Sequence, residues 1–160
     1  MEKKSLPGGL DHLDLQILKL LQHDATLTHK EVAAQLGLTI TPVYERVRRL
    51  EREGFILKYV ALVSPGKMGL GLTAFCNVSL VRHSTPLLKL FEEKVMSLQE
   101  VVICYHIAGQ FDYLLKIVVP DMEAYQRFIV DKLAALDNIR QVQSSFVMTE
   151  VKYSTALPLG

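Results

Sequence analysis

Apolar positions in the first fifty residues recur with the helical period. Leu13, Ile17, Leu20 and Leu21 form a stripe at i, i+4, i+7 and i+8, so a helix is expected over about 12–23 with Asp11 as its cap. Thr28 and Glu31 have the spacing of a capping box and open a second helix whose apolar side is Val32, Ala33 and Leu36. Gly37 can end that helix in the left-handed conformation. A third helix begins near Thr39 or Thr41, with Pro42 tolerated in its first turn and Val43, Val47 and Leu50 as its buried side. It runs to Glu53, where Gly54 stops it. A strand over Phe55–Val63, a wing or a connection, is expected next, broken by Ser64-Pro65-Gly66.

From residue 72 the period changes. LTAFCNVSLV, EVVICYHIA and YLLKIVV are strand-like runs, and Arg140–Tyr153 reads as a long final strand. Thr85-Pro86 opens a helix with Leu88, Phe91, Val95 and Leu98 on one side; Pro120-Asp121 opens another with Met122, Tyr125, Ile129, Leu133 and Leu136. The order βαββαβ matches the ferredoxin-like plan. The chain is therefore expected to be α+β, with an N-terminal trihelical winged helix-turn-helix unit at 10–60 and a ferredoxin-like domain at 61–160. Residues 1–9 read as a flexible arm. Both alternating sets of the middle strands are apolar, so the sheet face that helices leave uncovered invites a second copy of the chain.

Composition adds little to this pattern. The chain of 160 residues is 49% hydrophobic and 22% charged, which suits one or two globular units. Its net charge of +1 is no basic footprint, and residues 1–59 carry nine basic against eight acidic side chains. DNA binding would have to rest on local placement of arginine and on dimerisation to gather phosphate contacts. No run is long enough to span a bilayer and MEKKSLPGG lacks a signal-peptide core, so a cytoplasmic location is expected. Cys76 and Cys104 lie in strand-like runs and are expected as buried, reduced thiols. In the βαββαβ plan a third strand separates theirs. The five histidines show no metal-ligand spacing, and no nucleophile-and-base constellation is present, so neither a metal, a cofactor nor an enzymatic activity is expected. His106 reads as a hydrogen-bonded structural residue.

Two stretches carry candidate chemistry. In the third helix Glu45, Arg46, Arg48, Arg49 and Arg52 lie off the Val43–Val47–Leu50 side and alternate with Glu51 and Glu53, a pattern that also suits a solvated face. Following a capped helix and a tight turn, they suit a major-groove reader. Thr39, Thr41, Pro42, Glu45, Arg46, Arg48 and Arg49 are the candidate DNA-contacting residues: hydroxyls and amides for phosphate, arginine forks for guanine edges or phosphate. The second stretch is the turn Gly109-Gln110-Phe111-Asp112. Gly and Asp there are ordinary turn chemistry, but Asp112 could also pair a ligand ammonium while amides near Gly109 and Gln110 hold a carboxylate.

LDLQILKLLQHDA, TPVYERVRRLEREGFI and AGQFDYLLKIVVPDMEAYQRF, in this order and at these separations, resemble the leucine-responsive regulatory protein/AsnC (feast/famine) family of transcription regulators. The resemblance covers about Asp11 to Tyr153. It implies a ligand-modulated regulator of double-stranded DNA, dimers through the second domain that often join into octamers, and a small amino acid bound between dimers. By motif position it also implies effector roles for Gly109, Asp112, Met122, Ser145, Phe146 and Val147, and the amide of Gln110 joins them as a candidate from the chemistry of the turn. Ser145 and Phe146 replace the Tyr-Val pair of the leucine-responsive branch, so leucine itself is not implied; Thr39-Ile40 replaces its Ser-Pro, so neither is its operator. Two rival readings accompany this one. One is an enzyme resembling siroheme decarboxylases, which share the two-domain build; the other is a ligand-sensing oligomer that no longer binds DNA.

Overall fold

A computed structural model describes residues 7–159. Most of the arm expected over residues 1–9 lies outside the described residues; its end, Pro7–Gly9, forms a short 3-10 turn. The chain divides into two units, one reaching to Leu62 and including the tail from Lys152, the other Val63–Val151. The boundary expected at 60/61 is thus displaced by two residues, and the tail belongs with the helices. Its Leu159 packs on their apolar cluster, and Leu157 N–H donates to Gln22 Oε1.

The first unit contains α1 (His12–His23), α2 (His29–Leu36) and α3 (Ile40–Arg52). Asp11 caps α1 and Thr28 caps α2, each through a reciprocal box with the residue three places on. Gly37 ends α2 with φ of 67°, a conformation that costs a residue with a Cβ. Thr39 occupies the N-cap of α3 without a side-chain bond to the helix. Ile17, Leu18, Val32, Ala33, Val43, Val47 and Leu50 form the buried cluster. The strand expected over Phe55–Val63 is not formed: beyond α3 the described residues enter no regular element until a 3-10 turn at Gly66–Met68. A lone extended segment has no neighbouring ladder for its amides, which explains the difference.

The second unit is β1 (Leu72–Leu80), α4 (Thr85–Met96), β2 (Val101–His106), β3 (Tyr113–Val119), α5 (Met122–Arg127) and β4 (Ile139–Phe146). Its antiparallel sheet has the order β2-β3-β1-β4, so β3 separates the strands of the two cysteines, as the plan requires. Both thiols are free; Cys76 is buried and Cys104 only partly so. Ala74, Cys76, Val78 and Leu80 of β1 and Tyr113, Leu115, Ile117 and Val119 of β3 meet Phe91, Val95, Tyr125, Phe128 and Leu133 from the helices. The other face carries Phe75, Ile103, Tyr105, Leu114 and Val118 among Thr73, Asn77 and Lys116.

Two elements depart from the simple periods. β4 ends at Phe146 rather than Tyr153, because its sole partner β1 begins at Leu72 and offers no ladder beyond Thr73, whose carbonyl takes the Val147 N–H. α5 gives way to a π-helical turn, Phe128–Leu133. The wider turn lets Phe128 and Leu133, five residues apart, both be buried, whereas Met122 at the start of α5 is exposed.

Candidate DNA-reading helix and effector pocket

α3 buries Val43, Val47 and Leu50 against α1 and α2. At 3.6 residues per turn the opposite side is Thr41, Glu45, Arg48 and Arg52, all exposed. Arg48 reaches Glu51 at 3.3 Å and Arg52 lies 3.8 Å from Glu53, surface pairs that water and salt weaken. Tyr44, half exposed, meets the His29 ring edge-on at 5.3 Å. Thr39 is exposed at the turn and Pro42 is partly buried.

Arg46 and Arg49 require a correction. Expected to face outward, they are instead bound on the flank toward α1. Arg46 Nη1 donates to Asp11 Oδ2 at 2.6 Å and Asp14 Oδ1 at 2.7 Å, and Arg49 Nη2 donates to Asp14 Oδ2 at 2.5 Å. Asp14 is fully buried. Burial works against its charge, yet the Asp11 amide and the Arg46 and Arg49 guanidiniums outweigh it and hold the carboxyl below its ordinary range. Its sequence signal was the spacing Asp11-x-x-Asp14 of a capping box; that the same carboxylate would receive two arginines depends on how α1 crosses α3.

Asp112 also differs from expectation. Its Oδ2 accepts the Leu80 amide at 2.7 Å and its Oδ1 pairs with His83 Nε2 at 2.9 Å, so both oxygens serve the end of β1. Burial opposes the charge, but the Leu80 amide and His83 lower the carboxyl below the usual range. The stabilisation is therefore present above the ordinary carboxylate pKa near 4 and is lost as pH falls through the lowered folded value. Asp112→Asn should reduce stability by about 1 kcal/mol at neutral pH, since a charge-assisted bond becomes a neutral one. The difference from wild type should shrink in thermal melts below pH about 4. Melts that differ equally at both pH values would refute this role.

Gly109 and Gln110 lie exposed in the turn, Gly109 with φ of 149°. The remaining expected effector residues fall elsewhere. Met122 and Phe146 line a cavity of about 310 Å³ with Tyr125, Gln126, Ile129, Val130 and Ser144. Ser144 takes the place expected for Ser145, because Ser144 pairs with Cys76 on the helix-covered face and Ser145 with Phe75 on the other. Val147 follows the end of β4 and does not line the cavity. The cavity and the turn sit toward opposite ends of β1: Phe146 is opposite Ala74, whereas Asp112 N–H bonds the Val78 carbonyl.

Two of the lining residues are joined by a hydrogen bond. Tyr125 Oη donates to Ser144 Oγ at 2.5 Å and lies 2.9 Å from Cys76 Sγ. Burial, and then the Cys76 thiol, push the Tyr125 phenol up, so it stays a neutral hydroxyl. The Tyr125 ring also meets Phe146 edge-on at 4.9 Å. His106, expected to be hydrogen-bonded, stacks on Tyr113 with ring centres 4.7 Å apart.

Residues 10–56 match the model of a winged helix-turn-helix DNA-binding family, and residues 73–157 match the Lrp/AsnC ligand-binding domain. The chain belongs to the Lrp/AsnC family. The leucine-responsive regulatory proteins of Klebsiella pneumoniae and Escherichia coli K12 are each 39% identical to it over 98% of this chain and 96% of theirs. A transcriptional regulator of Neisseria meningitidis, solved in complex with L-methionine, is 37% identical with a TM-score of 0.90, covering 94% of this chain and 97% of that one. An AsnC family regulator of Agrobacterium tumefaciens is 41% identical with a TM-score of 0.89 over the same shares. This Lrp/AsnC protein is thus a transcription regulator with a helix-turn-helix DNA-binding domain and a ligand-binding domain on an α+β fold. Its homologues are named as regulators, not enzymes. Among the described residues no helix is long and apolar enough to cross a membrane.

Proposed function

We propose that this regulator reads double-stranded DNA with the Thr41–Glu45–Arg48 side of α3 and that a free apolar amino acid controls its assembly and DNA affinity. The observation that carries the effector reading is the cavity. Met122, Ile129, Val130 and Phe146 would take an unbranched or branched apolar side chain, while Gln126 and Ser144 offer polar groups at fixed places. The L-methionine bound by the Neisseria relative supports this class. The ammonium and carboxylate need further partners, which the Gly109–Gln110 turn of a second copy would supply, because the turn of the same chain is toward the other end of the sheet. The effector site is then completed by assembly, and ligand binding shifts the balance of oligomers through its differential affinity.

Dimers through the exposed sheet face, joined into an octamer, are the assembly we infer. The apolar side chains of Phe75, Tyr105, Leu114 and Val118 support it. Two heads per dimer would place α3 in half-sites about one helical turn apart. No catalytic step and no cofactor other than the amino acid enter this scheme, and the protein would act in the cytoplasm. Calorimetric titration with each L-amino acid, paired with light scattering, tests it. Methionine or another apolar amino acid should release heat and change the mass. A folded protein that selects a duplex from a random pool yet binds no amino acid would overturn the effector part.

A further inference from the structure

α3 carries four arginines, and the fold treats them in two ways. Arg48 and Arg52 stand in solvent, their side chains 64% and 72% exposed, with only long surface pairs. Arg46 and Arg49 are held by carboxylates of α1 and its cap. Asp14 is the centre of this arrangement: it is fully buried, receives both guanidiniums, and accepts the Asp11 amide on Oδ2 at 2.9 Å. Arg49 Nε is buried without a hydrogen-bond partner, so little besides Asp14 fixes that guanidinium.

The arrangement matters for charge. Attraction to phosphate grows with the number of free cations and is independent of sequence. Discrimination needs the non-specific term to stay low, so a regulator gains from denying cations to the wrong duplex. A chain of net charge +1 draws much of its local attraction from these four arginines. Neutralising two removes a large part of it and leaves the exposed side chains to read.

We propose that Asp14 is a specificity-determining positioning residue: it holds Arg46 and Arg49 against α1, withholds them from phosphate, and leaves base discrimination to Thr41, Glu45 and Arg48. This rests on the DNA-reading role given to α3. The two arginines are thus excluded as base readers, and Asp14 acts on DNA only through them.

The test compares full-length wild type, Asp14→Asn, and the triple variant Asp14→Asn, Arg46→Gln, Arg49→Gln. Each is titrated across a salt series with two probes: a duplex enriched by wild type from a random pool, and the same duplex scrambled. Asp14→Asn should bind the scrambled duplex about fivefold more tightly, with a salt slope steeper by about 0.9 for each arginine released per chain. Its preference for the enriched duplex should fall accordingly. The triple variant should return slope and preference to wild-type values. A merely structural role would lower affinity for both probes together with the slope unchanged, and that result in a folded Asp14→Asn would overturn the proposal. Where Asp14→Asn alone fails to fold, the triple variant carries the test, since it leaves no buried charge unpaired. A folded triple variant that loses the preference would show that Arg46 or Arg49 reads DNA, and would also overturn it. If wild type enriches no duplex, the DNA-reading role of α3 falls first, and this proposal with it.

Discussion

Replacing Leu50 by Ala should abolish DNA binding while the sheet unit stays folded. Leu50 is fully buried where α3 meets the other two helices, and its neighbours come from all of them. A buried Leu→Ala change costs about 2–5 kcal/mol, partly as lost transfer energy and partly as the cavity left behind. A helical unit of this size has little reserve: small units bury a smaller share of their surface, and whole domains hold only about 5–15 kcal/mol. The sheet unit has its own cluster of buried side chains, none shared with the helical one. Melting followed by circular dichroism should therefore show an early loss of helix signal with a later transition close to wild type. Sedimentation at a temperature between the two should still find the assembled species. A single early transition that takes the sheet with it would show that the units do not fold independently and would refute this expectation.

How much of this was legible in the residues depended on the range of the interaction. The helices α1 to α3 declared themselves through local signals, since capping boxes, Gly37 and the i, i+4, i+7 stripes act within a few residues. The order βαββαβ followed from alternating runs between breakers, and the place of β3 between the cysteine strands followed from the plan. What escaped were effects of tertiary partners. Arg46 and Arg49 look outward on a helical wheel, because nothing local says that a buried carboxylate of α1 lies beside them. Phe55–Val63 has the composition of a strand but no ladder to join. The last strand stops where β1 runs out, seven residues before its composition changes character. Phe128 and Leu133 share the core across a spacing of five, which a π turn allows and a count at 3.6 residues per turn misses.

The candidate effector residues divide in the same way. Met122 and Phe146 were identified by motif position and do meet at one cavity, where Tyr125 and Ser144 are hydrogen-bonded to each other. Asp112 was identified by its chemistry, as a carboxylate beside a glycine turn, and that chemistry is already engaged by Leu80 and His83. A turn carboxylate is as ready to accept a backbone amide as a ligand ammonium, and residue type alone does not separate the two.

Val130→Trp should abolish the response to amino acids and spare both fold and DNA binding. Val130 lines the cavity but is 67% exposed, so it belongs to the rim and contributes little to the core. Surface substitutions of that kind usually change stability by less than about 0.5 kcal/mol. An indole is far larger than an isopropyl group, and the apolar walls of Ile129 and Phe146 give it favourable surface to cover. Lying across the opening, it would compete with the ligand side chain in every binding event. The loss of affinity should exceed about a hundredfold, the scale on which losing the burial of a full apolar side chain, about 1.5–3 kcal/mol, combines with a steric block. Titration of wild type and variant with the amino acid that gives wild type its largest heat is the measurement, with a DNA titration of the ligand-free proteins beside it. Heats that survive in the variant would move the effector away from the Met122–Phe146 cavity. Lost heats with unchanged ligand-free DNA affinity would fix the cavity as the place where the amino acid acts, because Val130 belongs to the sheet unit and not to the unit that carries α3.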